Sequence, residues 1–181
     1  SLASGSRDIN FDLKRLEGYR NFCNKLWNAA NFIKIQCKGY DNKKVLSKNF
    51  EDFWIYDEFN KTAENFSKHI YSYRFDLATQ VTYDFFWEKF CDWYIEFCKI
   101  KLNDPKVNQL EKNKIKDSLI DLMHKSLILF HPILPFITEE IWQEFKPFHK
   151  SKLLNISQEK FPEVRKISRD FSKIEALKGS I

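Results

Sequence analysis

At 181 residues, with 43% hydrophobic and 30% charged side chains, the chain is sized for one domain with a short appendage and is too apolar for intrinsic disorder. Only 4 Gly and 5 Pro occur, too few for a turn-rich all-β fold, so long helices are expected. The formal net charge of +5 permits a polyanionic partner, although from charge alone a solvated lysine-rich surface is the favoured reading.

The first seven residues, Ser1 to Arg7, are small and polar and read as a linker. A first helix is predicted from Asp12 to Cys37, with Leu16, Tyr19, Cys23, Leu26, Ala30 and Ile33 as its buried stripe and Gly39 as its stop. A polar loop, Tyr40 to Asn49, follows. The second helix is expected over Phe50 to Tyr73, with Phe53, Trp54, Phe59, Ala63, Phe66 and Ile70 inward. A third is expected over Phe75 to Ile100, burying Leu77, Val81, Phe85, Trp87, Cys91, Tyr94, Ile95 and Cys98. No Gly or Pro marks the break between these two helices.

Asn103-Asp104-Pro105 signals a turn. A fourth helix is predicted over Leu110 to His131, burying Leu119, Leu122, Met123, Ser126, Leu127 and Phe130 and ended by Pro132. Pro135 opens a short helix that Pro147 is expected to end. Beyond it, Lys152 to Ile156 is expected to be extended and to pack back on the bundle, and Asp170 to Lys178 to begin another helix. Long helices joined by short loops make an all-α helical bundle with a less regular C-terminal extension. The expected division is a linker over 1–7, the bundle over 8–147 and the extension over 148–181.

Cys23, Cys37, Cys91 and Cys98 include no CxxC pair, and no His lies at ligand spacing, so no metal site is expected. They read as small buried apolar residues in a reducing compartment. No leader peptide or membrane-spanning run is visible, and a cytoplasmic protein is expected. Trp87, Trp93 and Trp142 are expected to be core, His131 a satisfied buried imidazole, and Glu139 and Glu140 acids in the first turns of the last short helix that compensate its dipole. No catalytic constellation stands out.

Opposite the buried stripe of the first helix, Lys14, Asn21, Lys25, Asn28 and Phe32 follow at steps of seven, four, three and four, along one side. Lysines neutralise phosphates, amides satisfy base edges, and an aromatic face stacks an unpaired base. Such a stripe suits single-stranded RNA. Taken alone it is read first as a solvated helix face with one stray Phe, or with Phe32 packed against the following loop.

Three stretches carry a resemblance: RDINFDLKRLEGYRNFCNKLWNAANFI (7–33), YDFFWEKFCDWYIE (83–96) and LILFHPILPFITEEIWQ (127–143). Together they resemble the anticodon-binding domain of valyl-tRNA synthetases, over about Leu2 to Pro147. HPxxPFxTEExW is shared more loosely by synthetases for several aliphatic amino acids. RNFxNKLWNA followed by FFWxxFCDWY is narrower, and the combination points to valine rather than isoleucine or leucine.

The resemblance implies anticodon contacts at Lys14, Asn31 and Phe32, and it favours an RNA-facing reading of Asn21, Lys25 and Asn28. Lys14 stands where arginine is also found, which replaces a bidentate fork by a point charge. Asn31 stands where arginine is usual and loses a cation. The implied partners are the anticodon loop of valine tRNA and, in cis, catalytic and editing domains of a parent enzyme expected to be monomeric and not membrane-bound. The chain carries neither the HIGH-type nor the KMSKS-type signature that holds ATP in such parents. It is therefore expected to need no cofactor and to be catalytically silent alone, ATP and magnesium belonging to the parent's catalytic domain. The alternatives are the same domain of an isoleucyl or leucyl enzyme, or a helical protein-interaction module that does not bind RNA.

Overall fold

The computed structural model describes residues 13–43 and 49–163, with side chains from Glu17 onward. Lys14, Leu16 and Arg15 are therefore described only as helical backbone. Asp12, the linker over 1–7 and the expected helix over 170–178 lie outside the described residues.

Among the described residues the fold is five helices with no strand, an all-α bundle as expected. Helix α1 spans Leu13–Gln36 and α2 spans Phe50–Tyr71. The third helix is continuous but changes character. It begins as α3 (Phe75–Asp84), widens into a π-helical segment (Phe85–Ile95) and closes as α4 (Glu96–Asn103). Helix α5 spans Gln109–Phe130 and α6 spans Pro135–His149, followed by a 3₁₀ turn at Ile156–Gln158. No described helix is long and apolar enough to cross a membrane.

The helix ends follow local chemistry. Gly39 takes φ +71°, the left-handed conformation that closes α1. The α2–α3 corner has no glycine. There Tyr73 itself adopts φ 56°, and Arg74 donates its backbone N–H to His69 while its side chain holds Asp76 through two bonds of 2.8 and 3.0 Å. Asp104 accepts the N–H of Lys106 in the predicted turn, and Asn108 caps α5 by accepting the N–H of Glu111 at 2.9 Å. Pro135 sits in the first turn of α6, where its missing N–H costs nothing. Pro147 does not end α6. It falls in the last turn, and the helix runs on to His149 before Lys150 takes φ 57°.

One apolar core joins all the helices. Leu26, Ala30 and Ile33 of α1 are buried as predicted, but Tyr19 is exposed and Cys23 half-buried. The buried face is rotated toward Phe22, Ala29 and Cys37, because Phe22 packs on Tyr83, Phe86 and Phe130. All six predicted core residues of α5 are buried. Trp142 is fully buried, whereas Trp87 and Trp93 are only half-buried at the edge of the core. All four cysteines are unpaired, and burial pushes the Cys37 and Cys91 thiols up to about 12.

Candidate functional site

Helix α1 presents the predicted stripe. Asn21 and Asn28 are exposed, and Lys25, Asn31 and Phe32 are half-buried. The structure brings these five onto one side of α1, while the side chain of Lys14 lies outside the described residues. Phe32 does not stand free. It packs against the core, and the Lys99 ammonium lies 5.2 Å from its ring centre.

Lys25 is also engaged. Its ammonium bonds the Asp92 carboxylate at 2.6 Å and lies 4.6 Å from the centre of the Trp87 ring. Lys34, further along α1, is paired with Glu144 and lies over Trp27. The face therefore offers amides and a part-covered aromatic edge directly, with its described cation, Lys25, held by an acidic partner on a neighbouring helix, while Lys34 lies on the opposite side of α1. Sequence reasoning missed Lys99, Trp87 and Asp92. Their helix meets α1 only in the fold.

Two further features lie elsewhere on the bundle. An apolar cleft of about 580 Å³ is lined by Tyr19 and Phe22 of α1, by Ile70, Phe75 and Tyr83, and by Phe130 and Ile133 of the α5–α6 turn. Beside it in the chain, Tyr73 is 82% exposed and Phe136 is 89% exposed.

The second feature is the return of the chain after α6. Glu139, on the second turn of α6, accepts the backbone N–H of Ile156 at 2.9 Å. Glu140 is exposed. The expected dipole role thus gives way, at Glu139, to a latch. Asn155 and Gln158 cap the 3₁₀ turn reciprocally, Ile156 is buried, and Phe161 stacks on Phe66. The expected return of this segment to the bundle is present, with Asn155 extended and leading into the capped turn at Ile156–Gln158.

Beneath that return, the His124 and His149 rings stack 4.3 Å apart, and Glu159 lies 3.1 Å from His124. His124, His149 and Glu159 bring three ligand-type atoms within 4.8 Å of one another. Shared coordination fits poorly here. Near-parallel stacked rings cannot both contain one ion in their planes, and His149 uses Nε2 on the carbonyl of Trp142 and Nδ1 on the N–H of Ser151. Burial, then the neighbouring His124, pushes the His149 imidazole down to about 4. His131 is half-buried, with Nδ1 2.9 Å from the Thr138 hydroxyl. That hydroxyl gives its proton to the Leu134 carbonyl, so His131 Nδ1 carries the hydrogen.

Residues 52–179 match the family model described as "Anticodon-binding domain of tRNA ligase". The chain belongs to that family. Its relatives include proteins named "Valine--tRNA ligase". The one from Francisella tularensis is 44% identical over 146 residues, 81% of this chain and 16% of the relative. The one from Coxiella burnetii is 42% identical over 165 residues, 90% and 18% respectively. The one from Psychrobacter arcticus is 41% identical over 160 residues, 84% and 16%. The chain thus spans 16–18% of the length of these relatives. An anticodon-binding domain of a tRNA ligase has tRNA as its partner in kind, and the all-α bundle is the architecture expected of this one.

Proposed function

We propose that this domain recognises the anticodon loop of valine tRNA as part of a valine--tRNA ligase, a cytoplasmic, monomeric enzyme that joins valine to that tRNA with ATP and magnesium. The observation that carries the reading is the alignment of relatives named "Valine--tRNA ligase" along 81–90% of the chain at 41–44% identity. The α1 face supports it with the right chemistry. Asn21 and Asn28 offer amides to base edges, Phe32 offers an aromatic edge, and Lys14 and Lys25 offer charge for phosphates. Asn31 adds an amide where a cation would strengthen phosphate contact.

In this reading the domain does no chemistry. It uses binding energy to position the tRNA, and the ATP site lies in the parent's catalytic domain, joined through residues 1–7. The apolar cleft beside Tyr73 and Phe136 supports contact with the catalytic and editing domains in cis.

The test is titration of the valine anticodon stem-loop against one with a scrambled anticodon, each at two salt concentrations. Tighter, salt-sensitive binding of the valine loop is expected. Equal affinity for the two loops refutes specific recognition. The chain alone should also give no valine-dependent pyrophosphate exchange.

A further inference from the structure

The π-helical segment and α1 meet at one ammonium group. Trp87 and Asp92 are five residues apart. In an α-helix, at about 100° per residue, they would point about 140° away from each other. The i→i+5 closure of a π-helix brings a residue and the fifth after it toward the same side. Phe85–Ile95 is π-helical, and the consequence is visible: the Trp87 ring and the Asp92 carboxylate both reach Lys25, at 4.6 and 2.6 Å. The wide turn therefore assembles a two-sided holder for a lysine that lies between the exposed Asn21 and Asn28.

The side chains of Lys25 and Asp92 are 29% and 46% exposed. The pair is thus open to solvent on the α1 face, and an incoming anion can compete for it. We propose that Trp87 and Asp92 are positioning residues that restrain Lys25, so that Asp92 occupies the ammonium in the free protein and a backbone phosphate must displace it when RNA binds. This rests on the reading of α1 as the RNA-facing side and adds a regulator to it. Asp92 lowers affinity for any RNA backbone, while Trp87 keeps the ammonium at the edge of the α1 face. The cost falls equally on every loop, because phosphates are the same in each and gain little from a lysine already neutralised. It leaves the amide contacts to base edges undiminished.

The experiment compares the 181-residue chain with Asp92→Asn, Lys25→Gln and the double variant, using the valine anticodon stem-loop and a scrambled stem-loop at two salt concentrations. Asp92→Asn should bind both loops more tightly at low salt, by up to about fivefold, the factor commanded by an exposed ion pair. Its salt dependence should steepen by about one released counterion, and the ratio of affinities for the two loops should stay as in the parent, because a phosphate contact acts alike on every sequence. Lys25→Gln should remove the gain when combined with Asp92→Asn. A second readout needs no RNA: the Lys25 amine should react faster with an amine-reactive ester in Asp92→Asn than in the parent, as followed by mass spectrometry of the Lys25 peptide.

A gain that survives in the double variant overturns the proposal, since Asp92 would then act by simple repulsion. Unchanged affinity in Asp92→Asn, with the parent binding the valine loop normally, overturns the proposal alone. If neither the parent nor Asp92→Asn binds any stem-loop at low salt, the RNA-facing reading of α1 fails, and this inference fails with it.

Discussion

The Glu139 carboxylate accepts the backbone N–H of Ile156 at 2.9 Å, so a side chain on α6 holds the chain where it returns to the bundle. The same carboxylate group also accepts the Gln143 amide, which in turn donates to the Leu154 carbonyl at 2.7 Å. Glu139→Ala removes the acceptor and leaves the Ile156 N–H without its partner beside a buried side chain. A loss of about 1–2 kcal/mol is expected. Amide exchange at Ile156 should quicken while the core of α5 stays protected. Glu140→Ala, on the exposed side, should change neither. Equal effects from the two variants would show that Glu139 acts only through the helix dipole.

The stacked His124–His149 pair lies under the same return, and it predicts a pH response. Burial and the neighbouring imidazole hold His149 down at about 4, against the ordinary 6.5. The groups facing it are His124, the Trp142 carbonyl, the Ser151 N–H, Glu159 and Lys146. Because the folded form takes up its proton at lower pH than the unfolded chain, this neutral histidine contributes stability that is fully present above about 6.5. That contribution is lost as pH falls through the window from 6.5 to about 4. Urea melts at pH 7 and pH 5 should therefore differ less for His149→Gln than for the parent. An unchanged pH dependence in the variant would mean that other groups dominate.

At the α2–α3 corner, Tyr73 sits in the left-handed region with its side chain 82% exposed and its ring 6.5 Å from that of Phe75. A left-handed residue with a Cβ costs roughly 1–2 kcal/mol, part of which glycine recovers. Tyr73→Gly should therefore stabilise the chain by about 0.5–1 kcal/mol, or roughly 1–4 °C in melting temperature. Tyr71→Gly, in the last turn of α2, should destabilise it. Melting of the two variants side by side checks the sign.

That corner shows where sequence reading reaches its limit. Gly39 announced the end of α1 because glycine is the cheap left-handed residue, whereas Tyr73 does the same work without a glycine to mark it. The five helices were legible because Leu119, Leu122, Met123, Ser126 and Leu127 recur at the α-helical period. The π-helical segment was misread by the same rule. Its buried pairs, Phe85-Phe86, Phe90-Cys91 and Tyr94-Ile95, recur at steps of four and five, a wider period than 3.6, and this is the signal that could have revealed it. Reading it as an α-helix put Trp87 inside and overlooked the buried Phe86 and Phe90. The α1 stripe was visible in the sequence, but the partner of Lys25 lies 67 residues away, and no local pattern announces it.

Phe32 and Leu26 share α1 and separate recognition from packing. Leu26 is fully buried, whereas Phe32 is half-buried at the edge of the core with the Lys99 ammonium 5.2 Å from its ring centre. Leu26→Ala opens a cavity in a closed site and should destabilise the fold by about 2–5 kcal/mol, with the folded fraction still binding stem-loop RNA as the parent does. Phe32→Ala removes only part-buried surface, and about 1–2 kcal/mol of stability should go with it. If its open edge stacks a base, the same variant should weaken stem-loop binding by about 1–3 kcal/mol. Melting and binding measured on both variants decide between the roles. If Phe32→Ala melts as early as Leu26→Ala yet binds RNA like the parent, Phe32 belongs to the core. Recognition along α1 would then rest on Lys14, Asn21, Lys25, Asn28 and Asn31, with charge and amides and no stacking platform.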